Sequence, residues 1–379
     1  MKILHVITRM DGGGSAVNTL ITAQEQAKAG HDVMLAFGLS EESDMTTSEQ
    51  EKVDAGLASF EALGGHIKII EDLKREIGLH DQKAVKAIQK LELDDFDIIH
   101  THTSKAGALG RYAAKGRDVK VVHTPHGHIF HGYFGELKTT MFLKIERHLA
   151  KYTDVLVALT QAERDDHLKL GVGTNKQWVV VPSGVDVDAI AEWMWEHPVS
   201  VEHKVWDTVS VGRLVPIKGM DRLIEAWALV VQRFPDARLG LVGDGEEKRR
   251  LEKLASRLNI IPNVEFVGWA DPLPELAKAK SFALLSHNEG MGRAVVEAMA
   301  AGLPCVVSDV CGLRELVDDS VGKVVDAEDK HAVAQALMSD WPRDMSRATR
   351  ERASHYSIAA MMQGLEQAYA KAMAVENRI

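Results

Sequence analysis

The stretch "FALLSHNEGMGRAVVEAMAAGLPCVVSD", residues 282–309, has a local pattern from which the fold can be predicted. An apolar run ends at "HNE", "GMG" indicates a turn, and "RAVVEAMAA" has the spacing of an amphipathic helix. Gly302 and Pro304 end that helix before a second β-branched run begins. A strand, a helix and a strand in this order predict two parallel strands joined by a crossover helix.

The same alternation runs through the whole chain. Helical patterns such as "SAVNTLITAQEQAKAG" separate many of the short apolar runs, which predicts parallel sheets with helices on both faces. The predicted strands are "KILHVI", "DVMLAF", "HIKII", "FDIIHTHT", "VKVVHTPHG", "DVLVALT", "QWVVVPSG", "DTVSVGRL", "ARLGLVGDG", "VEFVGW", "FALLS", "PCVVSD" and "GKVVD".

A break in the alternation divides the chain. Residues 186–204 form an acidic segment that contains a proline, and the strand pattern restarts after it. The sequence therefore predicts an α/β protein with two Rossmann-like domains, residues 1–190 and 200–355, that face each other across a ligand-binding cleft. The last segment, residues 356–379, is a helical pattern with no strand after it, and we expect it to pack back on the first domain.

Composition excludes several classes of protein. The 379 residues carry a formal net charge of −10, which argues against a nucleic-acid-binding protein. No apolar run reaches the roughly 20 residues of a membrane span, and "MKILHVITRM" does not resemble a signal peptide. The two cysteines, Cys305 and Cys311, are interpreted as free thiols of a reducing compartment. We therefore expect a cytoplasmic protein.

Two loops that follow predicted strands favour an anionic ligand. Gly12, Gly13 and Gly14 lie between the first strand and its helix, where the backbone can approach a ligand closely and Ser15 can cap the helix. The spacing is not that of a dinucleotide fingerprint, so a plain strand-to-helix turn is the alternative.

The second of these loops is cationic. Arg213 and Lys218 are five positions apart after the first strand of the second domain. One guanidinium and one ammonium group suit a diphosphate leaving group. An ordinary pair of surface cations is the alternative.

The opening stretch contains two carboxylates. Glu289 lies on the loop before the helix and Glu297 lies about one turn inside it, with the turn Gly290–Gly292 between them. The turn can present backbone amides to an anion, while a carboxylate can accept hydrogen bonds from vicinal hydroxyl groups. Glu289 and Glu297 can therefore hold polyol groups on either side of a phosphate, although surface glutamates near a helix start are common.

The histidines allow a metal site as an alternative. His100, His102, His123, His126, His128 and His131 are close in sequence, and such spacing can ligate a metal. No carboxylate or thiolate set accompanies them. "DDFD" at 94–97 precedes its strand instead of following it and is interpreted as a solvated turn. We therefore expect no metal and no cofactor.

Taken together, these motifs resemble those of the retaining glycosyltransferases of family 4, which have the GT-B fold. The resemblance covers nearly the whole chain. It rests on "DGGGSAVNTL", "HTHTSKAGALGR", "HTPHG", "VPSGVD", "VGRLVPIKG", "LVGDG", "FVGW" and "NEGMGRAVVEAMAAGLPCV". The run "HTHTSKAGALGR" is similar to that of members that build surface polysaccharides from UDP sugars.

The resemblance implies roles for the residues of the second domain. Glu297 would bind the ribose hydroxyls, and Glu289 would contact the donor sugar together with the amides of Gly290, Met291 and Gly292. Met291 departs slightly from the family pattern, where Phe or Leu is frequent.

The remaining implied roles concern the diphosphate and the first domain. Arg213 and Lys218 would neutralise the diphosphate. Gly12, Gly13 and Gly14 would close over the phosphates and the acceptor. His126 would stand beside the sugar ring, with His123 as the alternative for that role.

The implied activity is that of a hexosyltransferase. It would move a UDP-linked hexose or N-acetylhexosamine to a glycan or lipid-linked acceptor, without a metal and by front-face attack with retention. The alternatives are a UDP-sugar 2-epimerase or phosphorylase of the same fold, and a non-catalytic nucleotide-sugar-binding subunit.

A basic segment favours a contact with the inner face of a membrane. Residues 101–150 carry 8 Lys/Arg and 3 Asp/Glu, a local excess of +5 (8 − 3), and residues 128–151 are aromatic and then basic and amphipathic. The alternative, which the helical spacing favours slightly, places Met141, Phe142, Ile145 and Leu149 in the core.

Overall fold

The computed structural model describes residues 1–39, 45–127, 136–342 and 344–375. The chain divides into two compact units, residues 1–184 with 361–379 and residues 185–360. Each unit is built on one parallel sheet.

The sheet of the first unit has seven parallel strands in the order β3-β2-β1-β4-β5-β6-β7. The strands are β1 (Lys2–Arg9), β2 (Asp32–Gly38), β3 (His66–Ile69), β4 (Ile98–His102), β5 (Lys120–Thr124), β6 (Val155–Ala158) and β7 (Trp178–Val180). The helices are α1 (Gly14–Lys28), α2 (Thr47–Ala62), α3 (His80–Gln89), α4 (Ser104–Ala113), α5 (Glu136–Leu149) and α6 (Gln161–Lys169).

The sheet of the second unit has six parallel strands in the order β10-β9-β8-β11-β12-β13. Its strands are β8 (Trp206–Val211), β9 (Leu239–Val242), β10 (Val264–Gly268), β11 (Ala279–Leu284), β12 (Cys305–Ser308) and β13 (Gly322–Val325). Its helices are α7 (Val187–Glu196), α8 (Met220–Arg233), α9 (Lys248–Arg257), α10 (Pro272–Ala277), α11 (Arg293–Ala300), α12 (Lys330–Leu337) and α13 (Met345–Ser354). The last helix of the chain is α14 (Ile358–Met373).

Burial explains why these runs become central strands. In β1, Ile3, Leu4 and Val6 are fully buried, as are Ile98 and Ile99 of the neighbouring β4. Strands covered by helices on both faces need near-continuous apolar runs, and the sequence provides them. The thirteen predicted strands are confirmed at their predicted places.

Both sheets change direction at the same point of their strand order. From the innermost strand the order runs outward to two strands on one side and then resumes on the other, as in Rossmann folds. The change lies between β1 and β4 in the first unit and between β8 and β11 in the second. Loops that follow these strands are where ligands bind in such sheets.

The division between the units lies slightly earlier than the sequence suggested. It falls at residues 184/185, whereas the sequence analysis placed the change of domain between 190 and 200. The reason is that part of the acidic segment forms helix α7. Asp186 is the N-cap of this helix, and its carboxylate accepts a hydrogen bond from the Ala189 N–H at 3.1 Å. Helix α7 packs against α10, α11 and α13 and so belongs to the second unit.

Helix α14 completes the core of the first unit. From Met361 onward its residues belong to that unit, and Met361, Leu365 and Tyr369 are buried in one cluster with Ile3 and Val122. The C-terminal helix thus packs with the first unit. Cys305 and Cys311 do not form a disulfide bond with each other.

Candidate active site

The loop after β8 is held against the end of β11 by its backbone. Gly219 has φ +61°, and a Cβ atom there would lie 2.1 Å from the carbonyl oxygen of Leu285, so a side chain does not fit. The His287 N–H donates to the carbonyl oxygen of Ile217 at 2.8 Å. This close approach brings the two loops that flank the switch point of the second sheet into contact.

The contact joins two of the residues predicted from sequence. The Lys218 Nζ donates to Glu289 Oε1 at 2.5 Å, and the Ser286 hydroxyl donates to the same oxygen at 2.8 Å. Both side chains of the ion pair are largely buried, with 25% and 11% of their surfaces exposed. The carboxylate is therefore oriented by two donors, and its charge balances that of the ammonium group.

Arg213 lies on the same loop but remains outside this pair. Its residue is exposed, and its guanidinium forms no ion pair with the carboxylates that the structure describes. The backbone carbonyl of Arg213 accepts from the Val215 N–H at 3.0 Å. The loop after β8 thus carries one neutralised cation and one solvated cation.

The glycine turn packs against the loop that follows β12. A Cβ atom at Gly312 would lie 2.4 Å from the carbonyl oxygen of Glu289, and one at Gly292 would lie 2.3 Å from the Leu313 side chain. The Met291 side chain is buried and anchors the turn. Both glycine positions are therefore required by close packing.

Two of the three predicted amides of this turn are available. The N–H groups of Gly290 and Met291 donate to no acceptor in the described part of the chain. The Gly292 N–H differs from the expectation, because it donates to the Gly312 carbonyl at 3.3 Å. Gly292 is also the N-cap of α11 and supplies no side-chain cap.

Glu297 lies in the second turn of α11 and is half-buried. Its carboxylate accepts no hydrogen bond from the residues that the structure describes. Burial raises the pKa of Glu297, and the charge of Arg293 one turn earlier opposes that rise. A half-buried carboxylate without a hydrogen-bond donor is suited to receive hydroxyl groups of a ligand.

The glycine loop of the first unit has a different cap from the one predicted. Helix α1 begins at Gly14 with Gly13 as its N-cap, so Ser15 lies inside the helix and does not cap it; that prediction is wrong. The Asp11 carboxylate instead accepts from the Gly13 N–H at 2.9 Å and from Arg9 Nε at 2.7 Å. Gly12 and Gly14 are exposed.

His126 follows β5 and has an unusual backbone. Its φ is +60°, in the left-handed region that non-glycine residues rarely adopt. Its Nε2 lies 2.9 Å from His102 Nδ1. Such backbone positions are frequent at functional sites, and the role of His126 beside a sugar ring stays a prediction.

His123 is unsuited to its alternative role. It is fully buried, and its Nδ1 lies 3.0 Å from Thr101 Oγ1. Burial lowers its pKa well below the usual value, with a further contribution from the charge of Arg111. His123 is therefore a core residue.

The structure groups the other histidines differently from the sequence. His100 and His102 are buried together with His5, and their ligand atoms lie within 4.8 Å of one another. His128 and His131 lie outside the described residues. Sequence reasoning missed His5, whose only signal was its place in the first strand beside the strand that ends in "HTHT".

The acidic turn at 94–97 has structural contacts. Asp97 Oδ2 accepts from the Lys2 N–H at 2.7 Å, and Asp94 Oδ1 accepts from the Asp118 N–H at 2.8 Å. These carboxylates link neighbouring loops at the start of β1 and β5. They are not arranged after a strand as ligand-binding carboxylates would be.

Helix α5 has apolar residues on its surface. Met141 is 46% and Ile145 is 38% exposed, whereas Leu149 is buried. The core interpretation of this helix is therefore wrong for Met141 and Ile145 and right for Leu149. Residues 128–135 of the predicted membrane segment lie outside the described part of the chain.

Next to these residues is a groove of about 740 Å³. Its lining includes Lys86, Lys144, Ile145 and the exposed Tyr112. Among the described residues, no helix is both long and apolar enough to cross a membrane.

Two family models match the chain one after the other. That of "Glycosyltransferase Family 4" matches residues 12–189, and that of "Glycosyl transferases group 1" matches residues 193–355. The two matches correspond closely to the two structural units.

Curated relatives agree with these matches. The chain is 30% identical over 284 residues to the UDP-Gal:alpha-D-GlcNAc-diphosphoundecaprenol alpha-1,3-galactosyltransferase of Escherichia coli, covering 72% of this chain and 71% of that protein. It is 29% identical to the D-inositol 3-phosphate glycosyltransferase of Corynebacterium aurimucosum, covering 97% and 93%.

Solved structures show the same fold. Anabaena HepE in complex with UDP aligns with a TM-score of 0.77 at 20% identity, over 98% of this chain and all of that one. The sucrose-phosphate synthase of Thermosynechococcus elongatus aligns with a TM-score of 0.77 at 22% identity, over 99% of this chain and all of that one.

These matches decide between the alternatives left open by the motifs. The matched families and the relatives described above are glycosyltransferases. They favour a glycosyltransferase over an epimerase, a phosphorylase or a non-catalytic subunit. The chain belongs to family 4 of the glycosyltransferases, enzymes of the GT-B fold, and is a hexosyltransferase.

Proposed function

We propose that this enzyme transfers a hexosyl or N-acetylhexosaminyl group from a UDP sugar to a glycan or lipid-linked acceptor. The observation that supports the proposal is the contact between Lys218 and Glu289 at the switch point of the second sheet. Arg213 lies on the same loop as Lys218, and the Gly290 amide directly follows Glu289. The names of relatives support the class of donor and acceptor, since the Escherichia coli protein uses UDP-galactose and a diphosphoundecaprenol-linked sugar.

The donor's diphosphate is bound by cations and amides of the second unit. Arg213 and Lys218 carry the positive charge, and the amides of Gly290 and Met291 donate hydrogen bonds. When the diphosphate takes the ammonium group of Lys218, Glu289 loses that partner and accepts a hydrogen bond from a sugar hydroxyl instead. The ion pair of the ligand-free enzyme thus holds both groups until the donor separates them.

The nucleoside end of the donor is bound by Glu297. Its carboxylate accepts hydrogen bonds from two vicinal ribose hydroxyls, which supply the donors it lacks within the described part of the chain. Gly12, Gly13 and Gly14 contact the phosphates, and His126 contacts the donor sugar. These three roles follow from the resemblance to the family.

The reaction needs stabilisation of the leaving group and no nucleophilic side chain of the enzyme. The C1–O bond to the β-phosphate breaks, and the electron pair stays on the phosphate oxygen. The acceptor oxygen bonds to C1 on the same face, and its proton passes to the departing phosphate, so the anomeric configuration is retained. Arg213 and Lys218 stabilise the charge that grows on the diphosphate. These two cations do what a divalent metal does in other transferases, so no metal is required.

The acceptor meets the enzyme at a membrane surface. Exposed Met141 and Ile145 of α5, with Lys144 between them, provide an apolar and basic face for an anionic membrane. A lipid-linked acceptor at the inner face of that membrane would then lie close to the first unit.

The experiment is a transfer assay with UDP-linked hexoses and UDP-linked N-acetylhexosamines as donors and a lipid-linked sugar as the acceptor. Release of UDP is followed in the presence of EDTA, and the anomeric configuration of the product is read by proton NMR. The proposal predicts metal-independent transfer of one of these sugars, with the product anomer matching the donor. An inverted product would contradict the front-face mechanism, and dependence on added metal would contradict the role of the two cations.

A further inference from the structure

A continuous run of hydrogen bonds crosses the core of the first unit. It starts at His126, whose Nε2 lies 2.9 Å from His102 Nδ1, and His102 Nε2 lies 2.9 Å from His5 Nδ1. The His5 Nε2 then lies 2.7 Å from Gln26 Oε1 on α1. Three imidazole rings thus connect the strained loop after β5 with helix α1.

The run continues to the C-terminal helix. The Gln26 Nε2 donates to Tyr369 Oη at 3.0 Å, and Tyr369 Oη lies 2.7 Å from His100 Nδ1. The His100 Nε2 ends the run at Thr124 Oγ1, at 2.8 Å. We call the whole run, from His126 to Thr124, the histidine chain; apart from His126, its members are at least 98% buried.

The rings inside the histidine chain are neutral. Burial lowers the pKa of His5 to about 4 and lowers the pKa of His100 and of His102 well below the usual value. A neutral imidazole has one donor nitrogen and one acceptor nitrogen. Fixing the proton of one ring therefore fixes the proton of the ring that follows.

The amide orientation of Gln26, with Oε1 towards His5 and Nε2 towards Tyr369, sets the direction of the run. The Gln26 Oε1 can only accept, so His5 carries its proton on Nε2 and accepts at Nδ1 from His102 Nε2. His102 then accepts at Nδ1, which requires the proton of His126 to be on Nε2. On the other side Gln26 Nε2 donates to Tyr369, whose hydroxyl donates to His100. Each hydrogen bond points from His126 towards Thr124, and no member is left without its partner.

We propose that the histidine chain is a positioning device that fixes His126 in the tautomer with its proton on Nε2, and that Gln26 and Tyr369 set this tautomer from helices α1 and α14. In this tautomer a neutral ring of His126 has its proton on Nε2 and a lone pair on Nδ1. The catalytic value of this state rests on the proposed function, in which His126 contacts the donor sugar. Gln26 and Tyr369 act only through His126 and are positioning residues.

A buried metal site is the competing explanation for the same histidines. The distance of 2.9 Å between His5 Nδ1 and His102 Nε2 is that of a hydrogen bond with a proton between the rings. A metal at His5, His100 and His102 would need lone pairs on nitrogens that share protons in the histidine chain. The trio contains no carboxylate or thiolate ligand. The two explanations therefore predict different metal contents.

The test is the tautomer of His126 in protein labelled with 15N at its histidines, read from long-range proton–nitrogen correlation spectra near neutral pH. In the wild-type protein we expect a protonated Nε2 and an unprotonated Nδ1. In Gln26→Met the acceptor for His5 Nε2 is lost, so the proton of His5 moves to Nδ1. His102 and His126 then adopt the opposite tautomers. His126 should then carry its proton on Nδ1.

Two further variants keep the test decisive. Tyr369→Phe keeps the packing of the ring and frees the Gln26 amide to turn, so His126 should show a mixture of both tautomers. Thr22→Val removes a buried hydroxyl between the same two helices, where Thr22 Oγ1 contacts the Asn18 carbonyl and Met361 Sδ, and should leave His126 unchanged. If Gln26→Met does not fold, the mixture of tautomers of His126 in Tyr369→Phe tests the inference instead.

The kinetic readout separates the inference from the proposed function. Gln26→Met should lower kcat about tenfold with little change of KM for the donor, while Thr22→Val should keep wild-type values. An Nε2 proton on His126 in both Gln26→Met and Tyr369→Phe would overturn the inference, as would one zinc per chain by mass spectrometry. Absence of transfer by the wild-type protein would overturn the proposed function and leave the tautomer result standing.

Discussion

Glu297 is a carboxylate that the fold makes difficult to ionise. Burial in α11 raises its pKa above the ordinary value of 4.5, and the nearby Arg293 only partly opposes this. The folded chain therefore holds the proton of Glu297 to a higher pH than the unfolded chain does. Stability from this group is present below its unfolded pKa and is lost as the pH rises through its folded pKa.

Replacing Glu297 by Gln should remove this dependence. At neutral pH the ligand-free Glu297→Gln protein should melt at a higher temperature than the wild type, because no buried carboxylate has to ionise. Below about pH 4, where Glu297 is protonated in both states, the two melting temperatures should converge. Thermal denaturation followed by circular dichroism at several pH values measures this. A constant difference across the pH range would contradict the burial of Glu297 as the cause.

Lys218 should matter to the rate far more than a comparable cation elsewhere. In Lys218→Ala we expect kcat/KM to fall at least about tenfold, because a lost contact to the leaving group costs about 1.4 kcal/mol or more of transition-state stabilisation. Lys278 forms a similar ion pair with Glu275 at 2.8 Å and is the matched control. Steady-state UDP release measures both variants. Equal rates for Lys218→Ala and Lys278→Ala would remove Lys218 from the site.

At the scale of elements, buried strands were the part that sequence could predict. A run such as "ILHVI" is apolar on both faces because β1 is covered by helices on both sides, and this leaves an unambiguous local signal. The glycine turns before α1 and α11 also have local causes. The start of α7 was missed, because Asp186 caps a helix inside a segment whose charge and proline suggested a linker.

Contacts between distant residues left no signal in the sequence. Gln26 and Tyr369 are 343 positions apart, and their hydrogen bond depends on where α14 packs. The Lys218–Glu289 pair was predicted as two separate roles, because the close approach of Gly219 to Leu285 is visible only in three dimensions. The helical spacing of α5 was recognised, but its apolar residues fit a core and a surface equally well.

Helix α5 should bind anionic membranes through its exposed apolar residues. We expect the wild-type protein to sediment with phosphatidylglycerol vesicles at low salt, and Ile145→Glu to lower the bound fraction several-fold, since a carboxylate opposes both insertion and the anionic surface. Ile261→Glu changes a similarly exposed isoleucine of the second unit and should bind like the wild type. Equal binding of Ile145→Glu and the wild type would show that α5 does not contact the membrane.

At the scale of the whole molecule, the first unit depends on the end of the chain. Leu365 of α14 is buried against residues of β1, β4 and β5. Leu365→Ala should therefore lower the free energy of unfolding by about 2–5 kcal/mol, through lost burial and a cavity. Gln367→Ala, at an exposed position of the same helix, should stay within about 0.5 kcal/mol. Urea denaturation compares them, and equal effects would contradict the packing of α14.

The two units repeat one architecture but present different chemistry at their switch points. After β8 and β11 the second unit carries cations, a glycine turn and two carboxylates, which suit a nucleotide sugar. After β1, β4 and β5 the first unit carries glycines and a chain of neutral histidines. We therefore propose that the second unit binds the donor, and we expect the loss of Glu297 to weaken binding of the nucleotide alone.

The most direct test is isothermal titration calorimetry of UDP with the wild-type protein, Glu297→Ala and Glu225→Ala. Glu225 is an exposed residue of α8 and controls for the loss of one negative charge. The proposed site predicts that UDP binds the wild type and Glu225→Ala equally, and Glu297→Ala at least about tenfold more weakly, a difference of about 1.4 kcal/mol. An unchanged dissociation constant for Glu297→Ala, in a variant that melts cooperatively, would show that α11 does not bind the donor nucleotide.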